Sequence, residues 1–502
     1  MSRRCSKDHL YGRPVLTWLL CLLAVCPISA ISQSTSADLR LSAATQENPD
    51  HATATPVGNA DSGPAESQEA RDCESDASVV SPGYHLAELI DLAQCLNPQA
   101  RAAHERWVQA KSAVGLAKAT YWPQVSLQAT GGFQRTPLPI PASLVPAGYF
   151  TSNTREFIPA LSAKWLLFDF GRRSSTRAAA EAKSDETYAG LSGVEQKIVF
   201  GVVKTYYRLI ASRGKHRAAQ EALNAAQIEK NAAVGQQQHG RATVVFVAQT
   251  NRALAQAQLN MVKTEGEVDS AYASLLAAVG LPPTRRVAVA DMPPGFSPML
   301  PDRPLSSYID DALTSRPDAR AAAAEVSAAA WEEKAAKAEY RPTISMSAQY
   351  FQNIGSLSSD GSPYVSVNKS GGAVFVNFDL PLFDGGLRRS QVHIASSKVA
   401  EAQDRLDEVK HGIEHDVVDA YNAVKTSSAE YGDTIALRDA SKVAFEAALD
   451  AYRHGVGTYP ELESSRASWV MAQASVEDAT SDCETARAAL ALAIGHELPL
   501  RQ

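Results

Sequence analysis

One short segment of the sequence has residue types and a spacing that could support catalysis. "HGIEH", from His411 to His415, matches the H-x-x-E-H pattern, in which two histidines bind zinc and a glutamate acts as general base. The segment lies inside a helical periodicity that continues through it to Val417 and Tyr421. No glycine-rich phosphate loop or convincing nucleophile elbow stands out elsewhere. We therefore expect no enzyme activity, no metal and no cofactor.

Length and composition limit the classes of protein that fit. The chain has 502 residues, which exceeds a usual single domain, so several domains or a repeated architecture are expected. Its formal net charge is −7 and 45% of its residues are hydrophobic. Because there is no basic excess to attract phosphate groups, nucleic-acid binding is not expected.

The N-terminal residues indicate export. A basic stretch precedes the apolar run "VLTWLLCLLAV", and Ala30 supplies a small residue for cleavage, so residues 1–30 are predicted to be a signal peptide. Lipid modification of Cys26 is the alternative. Residues 31–82 are poor in aromatic residues and are predicted to be a flexible leader. No later stretch approaches the ~20 apolar residues of a membrane helix.

Three cysteines follow the signal peptide. An exported chain meets an oxidising compartment, which makes a Cys73–Cys95 disulfide possible and would leave Cys483 free. The alternative is that Cys95 is a small core residue on a helix.

The remaining chain is duplicated. A first repeat is predicted at residues 84–283 and a second at residues 303–497. Corresponding residues keep a constant register over long stretches, which is hard to obtain by chance. The pairs include Leu86/Leu305, Ile90/Ile309, Pro98/Pro317, Tyr121/Tyr340, Phe168/Phe383, Asp169/Asp384, Tyr206/Tyr421, His239/His454 and Gly280/Gly495.

Each repeat is predicted to run helix, strand, strand, long helix, returning helix. Strict alternation begins at Gln124 and Thr343 and returns before Phe168 and Phe383, so we expect two strands of about eleven residues in each repeat. A long, proline-rich loop over 136–157 is expected between the first two. Residues 172–238 and 387–453 contain no proline, and an unbroken helix of that length would be roughly 100 Å long.

These elements favour a membrane channel built from several chains. Strands with one apolar and one polar face are typical of a barrel between lipid and water. Four strands cannot close, and open edges in lipid would leave backbone groups unpaired, so several chains must pool their strands.

The arrangement resembles the TolC-like outer membrane factors over about residues 84–497. The resemblance rests on the duplicated "AK(A)-x-Y-x-P", the duplicated "LFD-x-G-x-R", "HGVGT" at the helix turn and the closing "A-x-G". It implies an α+β homotrimer with a shared twelve-stranded outer-membrane β-barrel in lipid and a long periplasmic α-helical barrel. It also implies an inner-membrane pump and a periplasmic adaptor, or membrane fusion, protein as partners.

The repeated phrase is interpreted as the junction between membrane strand and periplasmic helix. An aspartate before a helix start is a favourable cap, and glycine tolerates backbone angles that other residues resist. The junction residues are Phe168, Asp169 and Gly171 in the first repeat, and Phe383, Asp384, Gly385 and Gly386 in the second.

The turn "GTYPELESSR" contains a candidate periplasmic gate. The resemblance places Glu461 and Glu463 near the periplasmic constriction, where three chains would present a ring of carboxylates that favours cations. Thr458 and Glu461 also match a T-x-x-E capping box, which we favour for Glu461. Arg466, one turn further on, could pair with either carboxylate and hold a closed state.

The expected function is an outer-membrane exit duct for small toxic molecules or drugs driven by a pump. Type I protein secretion is an alternative within the same fold. A trimeric surface fibre or adhesin is an alternative of another class, but a fibre anchor would place its strands at one end of the chain, whereas here both halves carry them.

Overall fold

The structure is a computed structural model that describes residues 83–141, 143, 146–291, 300–359 and 362–496. The predicted signal peptide, Cys26, the leader and Cys73 lie outside these residues and stay predictions. No helix among the described residues combines the length and the apolar character that crossing a membrane requires.

The two halves of the described chain have the same order of elements. The first half contains α1 (Leu86–Leu96), α2 (Pro98–Ala119), β1 (Gln124–Pro139), β2 (Tyr149–Phe168), α3 (Arg172–Gln238) and α4 (Val244–Val279). The second contains α5 (Leu305–Ser315), α6 (Pro317–Ala338), β3 (Thr343–Ser359), β4 (Val365–Asp379), α7 (Leu387–Arg453) and α8 (Tyr459–Ala493).

The two long helices, α3 and α7, form as the sequence predicts. Each has 67 residues and spans the whole proline-free stretch. Each is followed by a glycine in the left-handed region, Gly240 at φ 71° and Gly455 at φ 74°. Such a conformation ends a helix at little cost only in glycine, so the chain turns there and α4 and α8 run back.

The prediction of a single helix before each strand pair was wrong. Asn97 and Arg316 have extended backbone, and α2 and α6 begin at Pro98 and Pro317. Proline disfavours helical angles in the residue before it and fits the first position of a new helix. The side chain of Asn97 also caps α2 by accepting a hydrogen bond from the Gln99 N–H at 2.8 Å.

The four strands form one antiparallel sheet in the order β1-β2-β3-β4. The strands have 16, 20, 17 and 15 residues, so the expected length of about eleven was too short. The ladder continues beyond the apolar alternation, from Gln124↔Lys164 as far as Pro139↔Tyr149. The expected loop over 136–157 is therefore mostly strand, and only residues 140–148 connect β1 to β2.

The core lies where the shorter segments pack on the long helices. A first cluster joins α1, α3 and α4 around Val202, Leu209 and Leu275, and a second joins α5, α7 and α8 around Ile413 and Val417. Each long helix is thus packed on one side by a short helix and the end of a returning helix, at equivalent places in the two halves.

The end of α4 gives a test of this packing. Gly280 has φ 90°, and a Cβ there would lie 2.8 Å from the Asn97 Cα. We expect Gly280→Ala to lower the free energy of unfolding by at least about 1–3 kcal/mol, because strain and overlap act together. Gly266→Ala on the same helix, with no atom within 4 Å of the added Cβ, should instead raise it by about 0.5–1 kcal/mol. Denaturant unfolding of both variants in detergent checks this, and equal midpoints would contradict it.

Candidate functional site

The junction after the second sheet hairpin is held by one aspartate and one arginine. Asp384 accepts hydrogen bonds from the Gly386 N–H at 3.0 Å and from the Arg388 N–H at 3.1 Å. The Arg388 side chain donates from Nε to the same carboxylate at 2.5 Å, and from Nη1 to the Pro381 carbonyl at 2.9 Å. Hydrogen bonding from Arg388 holds the pKa of Asp384 below its ordinary value. The segment from Pro381 to Arg388 is therefore held by hydrogen bonds among its own residues where the chain changes direction.

The first junction repeats this geometry. Asp169 accepts from both the backbone N–H and Nε of Arg173 at 2.9 Å, and Arg173 Nη1 reaches the Leu166 carbonyl at 2.7 Å. Each arginine also lies over the tyrosine that precedes the first strand of its repeat, Arg173 on Tyr121 at 4.8 Å and Arg388 on Tyr340 at 5.2 Å. The two duplicated motifs of the sequence are therefore in contact.

The glycines of the junction have different roles in the two halves. Gly385 and Gly386 have φ of 67° and 94°, and Gly171 has φ 102°. Phe170 stands where the second repeat has Gly385, and it adopts φ 51°, which is uncommon for a bulky residue. Phe170 packs edge to face on Phe168 at 5.1 Å, a contact that offsets part of the cost.

At the opposite end of the helices, the capping interpretation of Glu461 is confirmed. The Thr458 side chain accepts from the Glu461 N–H at 3.4 Å, and Glu461 Oε2 accepts from the Thr458 N–H at 2.9 Å. Hydrogen bonds from the Thr458 backbone and side chain lower the pKa of Glu461. Glu461 is exposed and makes no hydrogen bond with Arg466. Of the two carboxylates expected as partners of Arg466, the structure therefore selects Glu463.

Arg466 joins α8 to α3 through two carboxylates. It donates to Glu463 at 2.8 Å and to both carboxylate oxygens of Glu229 on α3. The side chains of Arg466, Glu463 and Glu229 are only 12%, 19% and 24% exposed. We call these three residues the tip network, because they lie near the ends of the helices that turn at Gly240 and Gly455.

Burying the charged groups of the tip network costs desolvation free energy. Burial raises the pKa of Glu463, with nearby Arg252 opposing the shift, and burial lowers the pKa of Arg466. Both shifts disfavour the charged forms. A buried ion pair of this kind contributes little net stability, because separation returns its charges to water. The contact is therefore specific in geometry and inexpensive to open.

Aromatic side chains surround the tip network. Tyr459, at the start of α8, packs edge to face on Phe246 at 5.0 Å, and its hydroxyl donates to Glu229 at 3.4 Å. Burial raises the pKa of Tyr459 above its ordinary value, with Glu463 adding to the shift, so the phenol stays protonated. Phe445 stacks on Trp469 at 5.1 Å, and Arg466 lies over Phe445 at 5.7 Å.

Sequence reasoning missed Glu229, although a signal was present. Aligning the repeats places Ala444 opposite Glu229, Ala248 opposite Glu463 and Asn251 opposite Arg466. All members of the network therefore depart from their counterparts, in the long helix of one repeat and the returning helix of the other. A charge that only one repeat carries, as Glu229 and Arg466 each are, is the signal that the sequence offered.

The remaining candidate residues do not form a chemical site. α7 continues through "HGIEH", with His411 and His415 exposed and His415 3.3 Å from Asp419. Among the described residues, no three His, Cys, Asp or Glu side chains are grouped so that they could hold a metal. Cys483 is free and buried. Cys95 is disulfide-bonded, and because Cys73 lies outside the described residues, their pairing stays a prediction.

The fold and these sites define a channel subunit whose membrane strands continue into long helices with a charged tip. The family model "Outer membrane efflux protein" matches residues 89–281 and 308–496, and the chain belongs to this family. It is an outer-membrane exit channel that extends into the periplasm.

Several relatives resemble the chain over most of its length. Protein CyaE of Bordetella pertussis is 29% identical over 390 residues, covering 77% of this chain and 79% of the relative. The pyoverdine export outer membrane protein OpmQ of Pseudomonas putida is 25% identical, covering 77% and 81%. The crystal structure of the CmeC outer membrane channel of Campylobacter jejuni superposes with a TM-score of 0.68 at 19% identity, covering 82% and 85%.

The junction contacts generate a stability prediction. We expect Arg388→Gln to lower the free energy of unfolding by about 1.5–3 kcal/mol, because hydrogen bonds to a charged group are lost. The neighbouring exposed residue supplies the control, since Arg389→Gln should change it by less than about 0.5 kcal/mol.

The same pair has a defined pH dependence. The pKa of Asp384 is lowered in the folded protein, so its contribution is present above the unfolded value of about 3.9 and is lost as pH falls through the folded value. The difference between wild type and Arg388→Gln should therefore persist at pH 5 and shrink below pH 4. Thermal midpoints measured in detergent at each pH test this, and a difference independent of pH would contradict it.

Proposed function

We propose that three copies of the chain form one passive duct from the periplasm to the cell exterior. The free edges of the sheet support this, because β1 and β4 have no partner strand on their outer sides among the described residues. Open edges in lipid are costly, and three four-stranded sheets provide the twelve strands that the family resemblance implies. The long helices then form the periplasmic wall.

The duct depends on partners for energy. The chain belongs to a family of outer-membrane channels, which are passive exits. Export against a gradient therefore requires an inner-membrane pump, coupled through a periplasmic adaptor. This assignment rests on the family and on the length of α3 and α7, which is sufficient to extend far into the periplasm.

The tip network is the proposed gate, and it is the observation that carries the mechanism. Arg466 links α8 of one repeat to α3 of the other, so the two helix hairpins of a chain are joined at their periplasmic ends. Breaking this contact lets the hairpins separate without unfolding either one. Because the charges regain hydration on opening, a partner has to supply little energy.

The proposed cargo is a small solute. One relative, aligned over 77% of this chain, is a pyoverdine export outer membrane protein. Deleting the gene should raise susceptibility to small toxic molecules. Loss of a secreted protein with unchanged susceptibility would instead favour type I secretion.

The gate predicts the effect of neutralising Arg466. Arg466→Gln should raise the mean conductance of the reconstituted channel severalfold, because Glu229 and Glu463 then repel each other and no longer join the hairpins. Single-channel recording in planar bilayers measures this.

Arg453→Gln is the matched control, since Arg453 is an exposed arginine near the same tip, with a side chain 65% exposed. It should leave the conductance unchanged. Equal conductance of Arg466→Gln and Arg453→Gln would contradict the proposal that the tip network is a gate.

A ring of carboxylates at the constriction is a separate part of the proposal. Glu461 is exposed at the turn, and Glu463 becomes available when Arg466 is released. The double variant Glu461→Gln, Glu463→Gln should lose cation preference, measured as the reversal potential in a KCl gradient. Unchanged selectivity would exclude the ring.

A further inference from the structure

A row of three bases follows one face of α3. Lys204 lies about two helical turns after Lys197, and Arg208 about one turn after Lys204, so the three share one face. All three are exposed, and no ion pair joins them to another described residue. Gly201 lies between Lys197 and Lys204 on this face. We call these three residues the basic row.

The basic row lies on the inner face of the proposed duct. The opposite face of α3 is covered by the segment that follows α4, since Tyr206 donates to the Ala290 carbonyl at 3.2 Å and Arg213 to the Val289 carbonyl at 2.9 Å. At 3.6 residues per turn, Lys204 and Arg208 point away from Tyr206 and Arg213. Covering segments must lie outside a duct, because inside they would occupy the passage.

Lys204 and Arg208 line a cleft on this face between α4 and α8, with a volume of about 850 Å³. No residue of the covering segment lines the cleft. The other charges in it largely neutralise each other, Lys215 with Asp478 at 2.5 Å and Lys263 with Glu267 at 3.8 Å.

Asp482 is the remaining acid of the cleft. Burial and the neighbouring Asp478 raise its pKa, with Lys215 and Arg208 opposing the shift. Lys204 and Arg208 therefore outnumber the one acid of this cleft that is not in an ion pair. Lys197 lines a second cleft, in which Arg316 binds Asp318 at 2.6 Å and Asp416 at 3.0 Å and in which Asp419 is a further acid.

The duplication shows that the architecture does not require these bases. The equivalent positions on α7 are Gly412, Asp419 and Ala423, although the buried residues between them match, Ile198 with Ile413 and Val202 with Val417. The same helix with the same buried face thus forms with no base in the row. Long basic side chains without an ion-pair partner on the wall of a passage are expected to interact with the solutes that pass.

We propose that the basic row binds anionic groups of the cargo in transit, so that this stretch of the duct wall interacts with solutes carrying carboxylate or similar negative charge. This inference rests on the proposed duct function. Three copies of the row would surround the passage, and a charged wall around a narrow aqueous path raises the local concentration of counter-ions. The effect falls with ionic strength, because the row is exposed to solvent.

The test uses the full chain reconstituted in planar bilayers, in both the wild-type and the Arg466→Gln background. Two probes are measured, the reversal potential in a KCl gradient and the block of current by citrate. Neutralising the row with Lys204→Gln and Arg208→Gln should lower chloride permeability relative to potassium. It should also raise the half-blocking citrate concentration about tenfold.

Lys410→Gln with Lys425→Gln is the matched control, since both are exposed lysines on the side of α7 that carries Tyr421. This variant should behave as wild type. The reciprocal variant, Asp419→Lys with Ala423→Arg, places the first repeat's residues on α7 and should strengthen citrate block.

The outcomes separate the two proposals. A channel that conducts, but whose selectivity and citrate block are the same in the Lys204/Arg208 variant and the control, overturns the basic row and leaves the duct standing. Absence of conductance in both backgrounds overturns the duct and the inference together. We expect citrate to block the Lys204/Arg208 variant more weakly than the control at low ionic strength. At high salt the two should be blocked equally.

Discussion

The requirement that backbone groups in lipid be hydrogen-bonded decides the form of this protein. Strands that cross a membrane must each pair with neighbouring strands, because lipid offers no hydrogen-bond partner to the backbone. A helix in water does not need a neighbour, because its backbone groups bond within the helix. The structure changes from strand to helix at the boundary, twice. At each change an aspartate satisfies the first N–H groups of the helix, and an arginine ties that aspartate to the last strand carbonyls. At the junction, the backbone hydrogen bonds therefore change from those between neighbouring strands to those within a single helix.

Beyond the junction, the long helices hold together with few large apolar contacts. Much of the buried surface is alanine, and large buried side chains concentrate where short helices cover α3 and α7. Away from those clusters, the contact between α3 and α8 includes charged groups, such as Lys215 with Asp478 and Glu229 with Arg466. Such contacts are specific in geometry and contribute little net stability, which fits the proposed gate.

The duplication separates what the fold needs from what the passage needs. Residues that keep one identity in both repeats, such as Ile198/Ile413 and Tyr206/Tyr421, are packed in the two cores. Some residues that differ, such as Glu229/Ala444 and Lys204/Asp419, belong to the tip network or to the basic row. An internal repeat thus allows a comparison within one chain, because the two halves form the same elements and bury equivalent residues.

The sequence by itself determined the periodic features. Absence of proline and a following glycine specified α3 and α7, and alternation located the start of β1 and β3, because these depend on neighbours in the chain. It gave strands that were too short, because ladder pairing continues wherever a partner strand is present, whatever the side chains. Only the tertiary structure showed that Arg466 binds Glu229 rather than Glu461, and that Arg173 lies over Tyr121. These partners are far apart in sequence, and a side chain's partner depends on which helices the fold brings side by side.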